Sequence, residues 1–106
     1  MIQRYTAQDL HQILQVPSSL LLLDVREPWE FEICHIDPSL NIPMGEIPGR
    51  LDELDADQET VLICHHGVRS FQVGLFLKQS GFSRIADLEG GIDGWARYID
   101  KDMATY

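Results

Sequence analysis

Two short stretches of the chain carry no polar residue until they close, and they limit the fold more than anything else in the sequence. One is Leu20–Val25, LLLLDV, which is apolar up to Asp24; the other is Val61–Cys64, VLIC. A strand with one wet face alternates polar and apolar residues. A short run without alternation reads as a strand covered on both faces, the situation in a parallel sheet flanked by helices. Helical patterns lie between such runs. Thr6 is a candidate N-cap with Asp9 three residues later, and Leu10, Ile13 and Leu14 follow at helical spacing. Ile47–Leu54 reads as a short helix with Pro48 in its first turn, and Ser70–Gln79 as a longer one stopped by Gly81. Ile92–Tyr98 completes the helices, and Gln3–Thr6, Leu40–Ile42 and Arg84–Leu88 read as further strands. The expectation is an α/β fold: a single domain over residues 1–106, built on a small, mostly parallel five-stranded sheet with helices on both faces.

In open parallel sheets ligands bind beyond the carboxyl ends of the strands, and Cys64 sits at such an end. The residues after it, His65-His66-Gly67-Val68-Arg69-Ser70, contain no proline, so every one of them can donate a backbone N–H. Gly67 allows the positive φ of a tight turn, and the following helix adds the positive end of its dipole. Arg69 carries a permanent charge at the mouth of that helix. Such surroundings favour a thiolate, the nucleophilic form of cysteine, and would equally hold an anion attached to the sulfur. A plainer reading stands beside this one, in which Cys64 is a small buried hydrophobe closing a strand. The proline-free run, Gly67 and Arg69 set the loop apart from that case. It reads as an anion cradle with a nucleophile at its base.

Charge narrows the partners. The formal net charge is −9, which opposes nucleic acid or an anionic membrane at long range. An anionic substrate would need a local positive site. Two cysteines do not make a disulfide scaffold, and MIQRYTAQDL contains no apolar signal segment, so the expected location is the cytoplasm. Cys34–His35 and Cys64–His65–His66 offer metal ligands, but neither C-x-x-C nor H-x-x-x-H spacing is present, and no metal or cofactor is expected. Asp24 and Arg26, at the end of a buried strand, are expected to pair and to organise the loops around the site. Trp29 and Phe31 could line the pocket rim, with an ordinary core role the preferred reading.

LLLLDVREPWEFEICHIDPSLNIP, TVLICHHGVRS, SGF and LEGGIDGW, in that order, resemble the single-domain rhodaneses, a sulfurtransferase family. The likeness runs from about Thr6 to Trp95. The tail ARYIDKDMATY is similar to rhodanese-like domains that end in tyrosine and accompany sulfur-carrier-activating enzymes. The resemblance implies that Cys64 attacks the outer sulfur of a donor and becomes a persulfide, within a loop formed by His65, His66, Gly67, Val68 and Arg69. It implies a small anionic sulfur donor such as thiosulfate, and a thiol or sulfur-carrier protein as acceptor. Asp24, Arg26 and His35 take supporting roles. Related phosphatases have a loop one residue longer between cysteine and arginine, which suits a tetrahedral phosphoryl group; the shorter loop suits a single sulfur. A phosphatase or arsenate reductase is therefore the secondary enzymatic reading. The chain could also serve as a sulfur relay or as a non-catalytic binding module, and the presence of Cys64 and Arg69 argues against the latter. Cys34 stands where the family usually has glycine: a tolerated small residue is the preferred reading, strain would follow if that backbone required φ > 0, and a disulfide with Cys64 that resolves the persulfide is the alternative. His65 and His66 would gain charge near their ordinary value of about 6.5, so thiosulfate turnover is expected to improve at mildly acid pH.

Overall fold

The computed structural model describes residues 2–106. Five strands, β1 (Gln3–Tyr5), β2 (Leu21–Asp24), β3 (Leu40–Asn41), β4 (Thr60–Ile63) and β5 (Ile85–Leu88), form one sheet in the order β1-β5-β4-β2-β3. Every neighbouring pair is parallel. The helices are α1 (Ala7–Ile13), α2 (Pro28–Ile33), α3 (Val68–Gln79) and α4 (Gly91–Tyr98), with a 3-10 segment at Met44–Glu53. The expected α/β architecture is present, and all of its pairings are parallel.

The apolar runs explain the layering. Along β4, Val61 and Ile63 enter a core with Leu10, Leu88, Ile92 and Trp95, beneath α1 and α4. Leu62 and Cys64 enter the opposite core with Leu23, Val73, Leu77 and Ile85, beneath α3. Both faces of the strand are dry, which is why its sequence shows no alternation. Thr6 caps α1 as its spacing suggests: its side chain accepts from the Asp9 N–H at 3.1 Å, and its own N–H donates to the Asp9 carboxylate at 3.1 Å. Residues 47–54 differ from the expected single helix. The 3-10 segment contains Pro48 and breaks at Arg50, whose φ of −127° and ψ of 22° are not helical. Proline removes an N–H from the α ladder and favours the tighter turn.

Helix α2 has no counterpart in the sequence reading. Pro28 stands at its start, and the Glu27 N–H donates to the Glu30 carboxylate at 2.8 Å. The spacing of those two glutamates around a proline is a helix-start signal. The helix carries Glu30 toward the carboxyl ends of β2 and β4.

Candidate functional site

Cys64 follows β4 immediately and is 1% exposed. Its sulfur lies at the bottom of a loop that turns into α3. Gly67 makes the turn with φ +99°, and its N–H donates to Cys64 Sγ at 3.0 Å. Only this one of the six available N–H groups reaches the sulfur. Val68, Arg69 and Ser70 open α3, where N–H groups have no intrahelical carbonyl, so they are suited to an anion carried beyond the sulfur.

The loop is held in shape from behind. The Ile92 N–H donates to the Cys64 carbonyl at 2.8 Å, and the Asp93 N–H to the His65 carbonyl at 3.1 Å. The first turn of α4 thus engages the loop's carbonyls. Gly91, at φ +58°, lies so close to the Cys64 and His65 carbonyl oxygens that a Cβ there would collide with both. The double glycine is a positioning element for the cradle as well as a turn.

Arg69, at the mouth of α3, is also engaged by a carboxylate. Its Nη1 and Nη2 bind Glu30 Oε2 and Oε1 at 2.9 and 2.8 Å, a bidentate pair. Arg69 draws Glu30 down to about 2, with the Glu27 N–H and the Tyr106 hydroxyl adding to the effect and burial opposing it. Arg69 remains within electrostatic range of Cys64, as does Arg4.

Beside this pair lies a buried charge network. Arg26, 0% exposed, donates to Asp24 through Nε at 2.9 Å and Nη2 at 2.7 Å, and to the Cys34 carbonyl at 2.7 Å. Its Nη1 donates to the Tyr106 hydroxyl at 3.0 Å, and that hydroxyl donates to Glu30 at 2.9 Å. Burial pushes the phenol up to about 12, so it stays a neutral donor. The Tyr106 ring stacks on His65 with centroids 3.9 Å apart. Asn41 ties the same corner, donating to the carbonyls of Asp24 and Arg26 at 3.0 and 2.9 Å. His35 sits one turn beyond, its Nδ1 2.7 Å from the Phe31 carbonyl and its Nε2 2.8 Å from the Asp37 carboxylate.

Single residues add detail to their sequence readings. Cys34 fits the reading of a tolerated small residue: its φ of −165° is extended backbone that any residue adopts, so no strain arises there. It packs in the core opposite that of Cys64, and both thiols are free. Trp29 is 59% exposed with its edge against Tyr106, and Phe31 stacks on His35, so neither fills the core. His65, His66 and Asp93 bring ligand atoms within 4.8 Å of one another. The two imidazoles stack 4.0 Å apart at 22°, so one would have to turn before both lone pairs met a single ion. Burial, with His66 adding to it, holds His65 below its ordinary value, which moves its charging to lower pH than expected.

The sequence reading missed Glu30, Asp87, Arg4 and the side chain of Ser70. Ser70 Oγ is 3.4 Å from Cys64 Sγ and 3.0 Å from Asp87 Oδ2. Arg4 Nε binds Asp87 at 2.8 Å, and its Nη2 donates to the Gly67 carbonyl at 3.2 Å. A carboxylate inside the otherwise apolar run IADL is the signal that pointed there, because a buried charge requires partners.

Comparison with known proteins is consistent with this architecture. The family model of the rhodanese-like domain matches residues 6–98. A protein of Allochromatium vinosum named sulfurtransferase is 37% identical over 92% of this chain and 92% of its own. A probable adenylyltransferase/sulfurtransferase of Mycobacterium tuberculosis is 39% identical over 95% of this chain, which spans only 26% of that protein. A crystal structure of a rhodanese-related protein from Thermoplasma volcanium superposes with a TM-score of 0.81 and 37% identity, over 90% of this chain and 91% of the other.

Proposed function

The chain belongs to the rhodanese-like domain family, and on that footing we propose that it transfers sulfane sulfur through a persulfide on Cys64. The Cys64 thiolate attacks the outer sulfur of a donor. For thiosulfate, a new S–S bond forms on Cys64, the old one breaks, and its electron pair leaves on sulfite. An acceptor thiolate then attacks the outer sulfur and Cys64 departs as thiolate. Electrons balance without an external oxidant.

One observation carries this reading. Cys64 Sγ sits at the base of a short loop, fixed by the Gly67 N–H at 3.0 Å, with the first turn of α3 above it. A persulfide adds one anionic sulfur above Sγ, where the N–H groups opening α3 meet it. His65, His66, Gly67, Val68 and Arg69 form the loop, Arg69 acting by locking it to Glu30. Asp24, Arg26 and His35 support its surroundings.

The charge pattern favours a protein-bound persulfide over free thiosulfate as the physiological donor. Arg69 and Arg26 are both paired with carboxylates, and the whole chain carries −9. A small dianion gains little long-range attraction under those conditions. A sulfur-carrier protein or a thiol would serve as acceptor.

Intact-protein mass spectrometry after brief exposure to thiosulfate, and separately to a protein persulfide, tests the proposal. One added sulfur, removed by cyanide and absent from Cys64→Ala, is expected, with faster loading from the protein donor. Reduced, folded protein that takes up no sulfur from either source would overturn it.

A further inference from the structure

Tyr106 reaches both ends of the cradle loop at once. Its ring stacks on His65, the first residue after Cys64, with centroids 3.9 Å apart and planes 12° from parallel. His66 stacks on His65 at 4.0 Å, and two rings that close must lie on opposite faces of the imidazole. The His65 ring is thus clasped between Tyr106 and its own neighbour. The Tyr106 hydroxyl meanwhile donates to Glu30 Oε1 at 2.9 Å, the same oxygen that accepts from Arg69 Nη2 at 2.8 Å. Arg69 is the last residue of the loop.

The partners settle the direction of these bonds. An arginine can only donate, so the hydroxyl accepts from Arg26 Nη1 at 3.0 Å. Its single proton then goes to Glu30, whose carboxyl is ionised at neutral pH. Arg26 is fully buried and fixed to Asp24, so Tyr106 carries that fixed point across to Glu30 and Arg69. The segment bearing Tyr106 adds little hold of its own. Residues 104–106 have no regular structure, Ala104 and Thr105 are exposed, and among the described residues these three form no backbone–backbone hydrogen bond. The attachment is made by the tyrosine side chain.

Resting on the assignment of Cys64 as the sulfur carrier, we propose that Tyr106 is a positioning residue for sulfur transfer, gripping the loop at His65 through its ring and at Arg69 through Glu30. The two grips fix the span of the loop, and with it the aim of the N–H groups that open α3. When either grip is lost the loop spreads, and those groups meet the outer sulfur of the persulfide less well. The loss falls on formation of the persulfide rather than on arrival of the donor.

Single-turnover sulfur loading of Cys64 over a range of thiosulfate concentrations, on protein shown to be folded by circular dichroism, tests the two grips. Tyr106→Phe keeps the stack and loses the hydroxyl, and its limiting rate is expected to fall about threefold. Tyr106→Ala loses both, with a fall of about tenfold. The half-saturating concentration is expected to stay within about twofold in each. A lower melting temperature with an unchanged limiting rate would make Tyr106 a structural residue only and overturn the proposal. A change confined to the half-saturating concentration overturns it as well. In a Glu30→Ala background, Tyr106→Phe should cost nothing further; an undiminished loss would show that the hydroxyl does not act through Glu30, and the second grip fails. Hydrogen exchange of the His65–Ser70 amides needs no sulfur donor. Exchange is expected to quicken in Tyr106→Ala, with Tyr106→Phe between it and the wild type. Equal exchange in all three sinks the clasp, whereas wild-type protein that takes up no sulfur is a failure of the Cys64 reading instead.

Discussion

Two aspartates flank the strand that ends in Cys64, and both are fully buried: Asp24 on β2 and Asp87 on β5. Asp24 lies in register with Ile63, whereas Asp87 lies in register with Leu62. In a parallel sheet registered residues share a face, so the two carboxylates look into opposite cores. Leu62 and Cys64 belong to the same core, and Asp87 reaches that side through Ser70, which contacts Cys64. Asp24 is answered locally by Arg26, two residues along, through Nε and Nη2 and the backbone N–H at 3.1 Å. Asp87 is answered by Arg4 from the far end of the chain and by Ser70. The comparison teaches that one residue of register separates a structural ion pair from a carboxylate linked through Ser70 to the Cys64 sulfur.

The largest effect is expected on the Asp24 side. Arg26→Ala would leave Asp24 buried without its ion partner and the Cys34 carbonyl without its donor. A loss of about 3–5 kcal/mol by urea denaturation is expected. Arg4→Ala should cost only about 1 kcal/mol, since Arg4 is partly exposed and Asp87 keeps its Ser70 bond. Equal losses at the two sites would erase the contrast.

Gly91→Ala comes next and separates loop geometry from charge. A methyl group at φ +58° would strike the Cys64 and His65 carbonyls, costing about 2–4 kcal/mol and slowing sulfur loading beyond the stability loss. Gly45→Ala, with open space around it, should change neither stability nor loading by more than about 0.5 kcal/mol. A Gly91→Ala protein that loads at the normal rate would show that the carbonyl contacts do not shape the cradle.

Acid stability tests the Asp24 side again through Glu30. Its carboxyl is lowered from 4.5 to about 2 in the folded protein, so its stabilisation is complete above about 4.5 and is lost as pH falls toward 2. The contribution at neutral pH is about 3 kcal/mol. Thermal melts between pH 6 and pH 2 should show this acid limb, and Glu30→Gln should flatten it. An unchanged limb in that variant would assign the acid transition to other groups.

The smallest effect concerns His65. Its folded value is lowered, first by burial, so the folded state prefers the neutral ring. The unfolded chain takes up the proton first as pH falls through about 6.5, and stability declines. Any acid gain in thiosulfate turnover that comes from His65 should accordingly begin below pH 6.5. A gain centred at or above that value, unaffected by His65→Ala, would exclude His65 as its source.

Much of this was legible before any coordinates. Unbroken apolar runs disclosed strands with two dry faces, Thr6 and Asp9 disclosed the cap of α1, and Cys64 followed by Gly67 disclosed a turn at a strand end. These signals are local, since periodicity, capping and positive φ depend on residues a few positions apart. Helix α2 was missed although Glu27, Pro28 and Glu30 carry its start signal, because the segment is short and its apolar residues do not form a long stripe. The ion pair of Arg69 escapes the sequence for a different reason. Its partner Glu30 lies 39 residues away, and nothing in the spacing of CHHGVRS announces it.

By itself, then, the sequence determined the parallel sheet, the placement of the thiol at a strand end and the tight loop around it. Only the tertiary structure decided which charges face the sulfur. Arg69 meets Glu30, Asp87 meets Ser70 at 17 residues' separation and Arg4 at 83, and Tyr106 closes on Arg26 across 80. The energy of a charge depends on what water is removed from it and what replaces that water. Both are settled where distant segments pack, on a face that a single residue of strand register selects.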